Sequence, residues 1–177
     1  MKVALLIGRF QPFHLGHLNA VQHALKKADR LVIVIGSSQK SHEYRNPFTA
    51  GERMEMILAT LESRGLLHRV VLSQVPDLEN HALWVPLLKS VTPRFDVAFS
   101  NDPLTIQLLK ESGARVEEVP LLNREELVAT EVRRRMALGE DWESLVPPEV
   151  ASYIQSVGGA KRVRELYEMQ QLSNNKL

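Results

Sequence analysis

The stretch Val3-Ala4-Leu5-Leu6-Ile7-Gly8-Arg9-Phe10-Gln11-Pro12-Phe13-His14-Leu15-Gly16-His17 decides how the rest of this chain is read. Its first five residues form an apolar run of the kind found in a buried parallel strand. Beyond it, Leu18, Val21, Leu25 and Ala28 carry a helical pattern. A glycine-containing turn between a strand and a helix is where an α/β protein holds a phosphate, because backbone N–H groups and the helix dipole both face the anion there. His14 and His17, three residues apart in the first helical turn, project to the same side. Gly16 between them lets a ligand approach the backbone. Two imidazole donors beside an open helix N-terminus suit a phosphoryl group that gains negative charge during reaction. Taken alone, the pair also fits two satisfied surface histidines at a helix start.

Strand and helix patterns continue to alternate outward from this stretch. Leu31 to Ile35 is a second β-branched run, closed by Gly36-Ser37-Ser38, and the polar segment from Gln39 to Phe48 reads as a loop. Thr49 and Glu52, three residues apart, form a capping box for a helix with Met54, Ile57, Leu58 and Leu61 on its apolar face. Arg69 to Leu72 predicts a third strand, and Asn80 caps a helix through Leu83, Leu87 and Leu88. Phe95 to Phe99 predicts a fourth strand. Asp102-Pro103 then caps and starts a helix that Gly113 stops. Val116 to Val119 is a weaker fifth strand. Helices follow over Thr130 to Leu138, after Pro147-Pro148 and after Gly158-Gly159, and the last five residues are expected to fray.

This alternation implies right-handed crossovers and a Rossmann-like, doubly wound parallel α/β sheet with C-terminal helices. A single domain over residues 1–177 is expected, with an α/β core over 1–138 and a helical extension over 139–177. In such sheets the ligand sits beyond the carboxyl ends of the strands. The polar clusters Arg9 to His17, Gly36 to Ser38, Asp77 to Asn80 and Ser100 to Asn101 all fall on that edge. The dinucleotide fingerprint G-x-G-x-x-G is absent after the first strand, which disfavours an ordinary nicotinamide-dependent dehydrogenase.

Lysine and arginine total 22 against 21 aspartate and glutamate, so no bulk charge drives nucleic-acid or membrane binding. The chain has no cysteine, which excludes a disulfide scaffold and thiolate metal sites. With no apolar run long enough to span a bilayer, the sequence reads as a soluble, cytoplasmic protein.

A second constellation lies at Thr130-Glu131-Val132-Arg133-Arg134-Arg135-Met136. A threonine at a helix start with an arginine three residues on places a hydroxyl, N–H groups and a guanidinium near one anion. The three arginines point to different sides of a helix, so at most one or two of them share a ligand. Trp84 fits either a core residue or an indole stacked on a cationic aromatic ring. Asp77 and Glu79 alternate along a loop and fix no metal geometry, so no metal is assigned to them. His23, His42 and His68 are expected at the surface, and Trp142 and Tyr153 in packing.

His14-Leu15-Gly16-His17 resembles the HxGH signature of the nucleotidylyltransferase superfamily. Thr130 and Arg133 match the end of that superfamily's late Ser/Thr-x-x-Thr-x-x-Arg motif, with Leu127 in place of its leading serine. The segments Gly8 to His14, Gly36 to His42, Asn46 to Arg53, Asn80 to Val85 and Thr130 to Met136 together look like the archaeal-type nicotinamide-nucleotide adenylyltransferases. They span most of residues 3–136 in that family's order.

The resemblance implies adenylyl transfer from ATP to nicotinamide mononucleotide, giving NAD and pyrophosphate, without a covalent enzyme intermediate. It implies that His14, His17 and Arg133 are catalytic, and that Gly8, Arg9, Phe10, Gly16, Arg45 and Thr130 bind ATP or its phosphates. Ser37, Asp77, Asn80 and Trp84 would bind the nicotinamide nucleotide, with His81 standing where relatives often carry asparagine. Mg²⁺ would arrive with ATP, held mainly by phosphate oxygens. A homo-oligomer is implied, hexameric in archaeal relatives. Two rivals remain at this point. One is the same chemistry on another phosphorylated acceptor, such as riboflavin phosphate or phosphopantetheine. The other is a non-catalytic nucleotide- or RNA-binding module.

Overall fold

The computed structural model describes residues 1–120 and 128–174; Leu127 and the last three residues lie outside them. The described residues fall into two compact units. One lies within Met1–Arg9, Asn19–Gln39 and Gly65–Leu121, the other within Phe10–Leu18, Lys40–Arg64 and Leu122–Leu177.

The first unit holds the sheet. Strands β1 (Val3–Gly8), β2 (Arg30–Ile35), β3 (Val70–Gln74), β4 (Val97–Phe99) and β5 (Val116–Glu117) are all parallel, in the order β3-β2-β1-β4-β5. The order reverses beside β1, as in a doubly wound sheet. Leu5 faces Val32 on one side and Ala98 on the other. These three join Val34, Val75, Val85, Leu88 and Leu109 in one buried cluster. Ala4, Leu6, Ile33 and Phe99, alternating with them, are buried as well. Strands covered on both faces explain why β1 and β2 read as unbroken apolar runs.

Polar residues extend β3 beyond its expected end. Ser73 and Gln74 pair with Val34 and Ile35, which an edge strand permits because one of its sides has no neighbour. β5 is shorter than expected. After Glu117 the chain leaves the ladder and Val119 is caught by the Asn101 side chain, whose carboxamide both accepts from its N–H and donates to its carbonyl. The unit also contains α3 (Trp84–Val91) and α4 (Pro103–Glu111). Asp102 caps α4 by accepting from Thr105 N–H, Pro103 occupies its first turn, and Gly113 follows with φ +79°. His23, expected at the surface, is instead half-buried, edge-on to the Phe99 ring at 5.7 Å.

The second unit is helical: α2 (Ala50–Ser63), α5 (Ala129–Leu138), α6 (Pro148–Ser156) and α7 (Gly159–Asn174). Helix α1 (Leu15–Lys27) contributes its first turn to this unit and the rest to the sheet unit. α2 packs on α6, α6 on α7, and α7 on α5. Both halves of the expected capping box are formed, Thr49 Oγ1 accepting from Glu52 N–H and Glu52 accepting from Thr49 N–H. The apolar face expected for α2 is rotated. Leu58 is exposed, and the buried positions are Arg53, Met56, Ile57, Thr60 and Leu61. Thr60 is tolerated there because its hydroxyl donates to Met56 O at 2.8 Å. Arg53 is tolerated because it donates to the carbonyls of Thr49 and Lys40. Trp142 is buried, as expected of a packing residue. Among the described residues no helix is long and apolar enough to cross a membrane.

Candidate active site

The second unit gathers His14, His17 and Arg133. His14 lies just ahead of α1, and its Nδ1 accepts from Gly16 N–H at 3.1 Å and from His17 N–H at 3.4 Å. His17 Nδ1 accepts from His14 N–H at 3.3 Å. The histidine pair thus occupies the Gly16 and His17 amides in the first turn of α1, where an anion is expected from the sequence. An acceptor role at both Nδ1 atoms puts each ring proton on Nε2, so each neutral imidazole keeps one donor.

The two rings stack with centroids 3.6 Å apart and 26° between planes. Phe10 meets His17 edge-on at 4.8 Å and Phe13 stacks on it at 5.7 Å. Phe10, expected at the phosphates, therefore supplies a wall of this aromatic box, with a backbone φ of +52°. A bulky residue in that region stores of order 1 kcal/mol of strain, which the surrounding packing must hold. Burial, with the Arg133 cation beside it, pulls His14 from 6.5 down to about 4. Burial and then the His14 ring hold His17 well below its ordinary value. Both rings are neutral at physiological pH.

Arg133, on α5, is 3 % exposed. Its Nη1 donates to Gln11 O at 2.8 Å, its Nη2 to Thr130 Oγ1 at 3.4 Å, and its guanidinium lies 5.9 Å from the Tyr44 ring centre. The next two arginines turn away. Arg134 pairs with Glu131 and Glu140, and Arg135 with Glu131. Of the three only Arg133 is buried, which falls within the limit of one or two set by the helical spacing. Thr130 sits in the first turn of α5, exposed, after an N-cap residue, Val128, that makes no side-chain cap. Arg45 is exposed in a tight turn closed by Glu43 and Asn46.

The first unit carries a cavity of about 490 Å³ at the carboxyl ends of the strands. Gly8 and Arg9 line it after β1, Gly36 and Ser37 after β2, and Asp77, His81 and Trp84 after β3. Asn101 and Asp102 close it after β4. The cavity thus spans the switch in strand order, where ligands of open parallel sheets bind. Ser37, at φ +47°, donates its hydroxyl to Asp77 Oδ1 at 2.9 Å, and Gln39 donates to Asp77 Oδ2. Trp84 is half-buried, packing against the core while lining the cavity. The packing reading of Trp84 is met by its core contacts, and its place in the lining leaves it reachable by a ligand in the cavity. Asn80 is not part of the lining. Its side-chain oxygen accepts from Ala82 N–H, and His81 occupies the wall instead.

Sequence reasoning gave no role to Gln11 or Tyr44, and left open whether Asn80 or His81 faces the nucleotide. Gln11 had a signal, a lone carboxamide between aromatic and proline residues in an otherwise apolar run; Tyr44 had none.

A family model described as cytidylyltransferase-like matches residues 5–135. The chain is 48 % identical to the nicotinamide-nucleotide adenylyltransferase of Methanolobus tindarius over 166 residues, covering 94 % of this chain and 95 % of that one. It is 46 % identical to the enzyme of the same name from Pyrococcus horikoshii over 162 residues, 92 % of this chain and 87 % of the other. Among solved structures, a bifunctional NMN adenylyltransferase/ADP ribose pyrophosphatase from Francisella tularensis superposes with a TM-score of 0.81 at 23 % identity. That match covers 99 % of this chain and 55 % of that one, so this chain spans about half its length. The same enzyme with AMP and a manganese ion gives 0.75 at 21 % identity, covering 97 % and 53 %. With close to half of its residues shared along nearly the whole of both chains, the protein belongs to the cytidylyltransferase-like family and, within it, to the nicotinamide-nucleotide adenylyltransferases.

Proposed function

We propose that this chain joins ATP and nicotinamide mononucleotide into NAD and pyrophosphate, and that the stacked pair His14 and His17 with Arg133 is its phosphate machinery. The observation that carries the residue assignment is a buried cation beside two histidines that are neutral and reduced to Nε2–H donors. A phosphate oxygen of the mononucleotide attacks the α-phosphorus of ATP in line. The bond from that phosphorus to the bridging oxygen breaks, and pyrophosphate leaves with the electron pair. The attacking oxygen is already anionic, so no general base is needed. Catalysis consists of positioning and charge stabilisation.

His14 and His17 donate through Nε2–H to oxygens that gain charge at the α-phosphorus. Their neutrality means that a donor is present without a proton to be lost. Arg133 holds the leaving pyrophosphate, with Thr130 steadying its guanidinium. Gly8, Gly16, Arg9 and Arg45 complete the contacts to ATP. Trp84 stacks on the pyridinium ring, a cationic aromatic suited to an indole face. Ser37, Asp77 and His81 offer hydrogen-bonding groups to the same nucleotide, and Asn80 acts by capping the turn that carries His81. Among the described residues no three Asp, Glu or His side chains form a metal cage. Mg²⁺ would arrive with ATP, held mainly by its phosphate oxygens, as suits an ion that dehydrates reluctantly. We take the chain to act as one nucleotidyltransferase domain, in the cytoplasm, as a homo-oligomer and without nucleic acid.

The test is NAD formation from ATP, Mg²⁺ and nicotinamide mononucleotide, read by coupling to alcohol dehydrogenase. His17→Ala is expected to lose about 100- to 1000-fold in kcat, by analogy with removing one oxyanion donor. Turnover within a few-fold of the unsubstituted chain would refute the histidine role. Riboflavin phosphate or phosphopantetheine as the better acceptor would refute the nicotinamide assignment while keeping the chemistry.

A further inference from the structure

Gln11 lies two residues beyond Arg9 and is 1 % exposed. Both ends of its carboxamide are used on one residue: Nε2 donates to Phe48 O at 2.9 Å and Oε1 accepts from Phe48 N–H at 2.9 Å. The side chain thus imitates a backbone strand pair, which fixes its rotation as well as its position. The carbonyl of Gln11 itself accepts from Arg133 Nη1 at 2.8 Å. The phosphate-side guanidinium is therefore aimed by a carbonyl whose own side chain is clamped.

The clamp is anchored in turn. Pro47 O and Glu52 both accept from Arg162 of α7, at 3.2 Å and at 2.7 and 2.8 Å. The Arg162 guanidinium lies 5.9 Å from the Phe48 ring centre. Phe48 is fully buried, and Thr49 after it is held by the capping box of α2. These bonds link α7, α2, the loop before α1 and α5 within one unit.

We propose that Gln11 is a positioning residue for adenylyl transfer, setting the direction of the Arg133 guanidinium through its two-point bond to the Phe48 backbone. The proposal rests on Arg133 acting on the pyrophosphate. A side chain that only satisfied the Phe48 backbone would affect folding and leave Arg133 where it is.

The experiment uses the full chain with Gln11→Met, which keeps the length and bulk of the side chain and removes both hydrogen bonds. Two readouts are taken: kcat and KM for each substrate, and the NMR signal of the Arg133 side-chain N–H groups without substrate, assigned by its loss in Arg133→Lys. Gln11→Met is expected to lower kcat about 10- to 100-fold, as a displacement near 1 Å can, with KM for the mononucleotide changed by no more than about threefold. The Arg133 signal should move, and combining Gln11→Met with Arg133→Lys should be no worse than Arg133→Lys alone. An unchanged kcat, an unmoved Arg133 signal, or losses that multiply in the double variant would each overturn the proposal. Should Gln11→Met fail to fold, Gln11→Asn, which keeps the carboxamide and shortens its reach, carries the same comparison. Should the unsubstituted chain make no NAD, the activity assignment fails, and the Arg133 signal still decides whether Gln11 aims the guanidinium.

Discussion

Acidification should destabilise this protein through His14 in a way that a single substitution removes. The ring titrates at 6.5 when unperturbed, and burial together with Arg133 lowers this to about 4 in the folded chain. Between those values the unfolded chain holds more protons on His14 than the folded one, so stability rises with pH across that window. The contribution is fully present above about pH 6.5, shrinks as pH falls, and is gone below about pH 4. The distance from 6.5 to about 4 corresponds to about 3 kcal/mol, of which about 2 kcal/mol is lost between pH 7.5 and pH 5. His14→Asn keeps an oxygen acceptor for the Gly16 and His17 amides and has no titrating group.

Urea unfolding of both proteins from pH 7.5 to pH 5 should therefore show the stability gap between them narrowing by about 2 kcal/mol. His17, also held low, contributes with the same sign in both proteins and drops out of the comparison to first order. Long-range proton–nitrogen NMR should find the His14 proton on Nε2 throughout this range. Parallel pH profiles, or a His14 midpoint at or above about 6, would refute both the burial argument and the assignment of a neutral donor to the phosphate site.

Two further outcomes follow from packing and from the cavity. Gly159→Ala should lower stability by about 1–3 kcal/mol in thermal or urea unfolding, because a Cβ there would lie 2.8 Å from Phe48 Cε1 and 2.9 Å from Ile154 Cγ2. Trp84→Ala should raise KM for nicotinamide mononucleotide by about 2- to 30-fold while leaving KM for ATP within twofold, the range expected for a lost cation–π contact. The chain has two tryptophans, and Trp142 is buried, so fluorescence quenching by the mononucleotide should disappear in Trp84→Phe.

What the sequence determined by itself is what neighbouring residues decide among themselves. The Val3 to Ile7 and Leu31 to Ile35 runs became β1 and β2, because a strand buried on both faces has no polar alternation to lose. Thr49 with Glu52, and Asp102 with Pro103, marked helix starts to the residue, since a cap is a bond spanning three positions. Part of each polar cluster after β1 to β4 (Arg9, Gly36 with Ser37, Asp77, and Asn101) lines one cavity because parallel strands share a carboxyl edge, whereas His14, His17 and Asn80 do not line it. The spacing of Arg133 to Arg135 limited a shared ligand to one or two of them, and the fold buries Arg133 alone while Arg134 and Arg135 pair with glutamates.

Tertiary structure decided everything that depends on a partner far along the chain. Gln11 and Arg133 stand 122 positions apart, and no local pattern pairs a carbonyl with a guanidinium at that distance. The rotated face of α2 follows from carbonyls that accept from Arg53 and Thr60, acceptors that hydrophobicity alone does not reveal. Between Asn80 and His81, which the sequence left open, the fold puts His81 in the cavity wall and bonds the asparagine oxygen to Ala82 N–H of the turn it begins. The charge of the histidine pair was equally hidden. The fold extends the neutrality of the two imidazoles well into the acid range, by burying both and by setting Arg133 beside His14 and the His14 ring beside His17, since desolvation and a neighbouring cation both act against the protonated form.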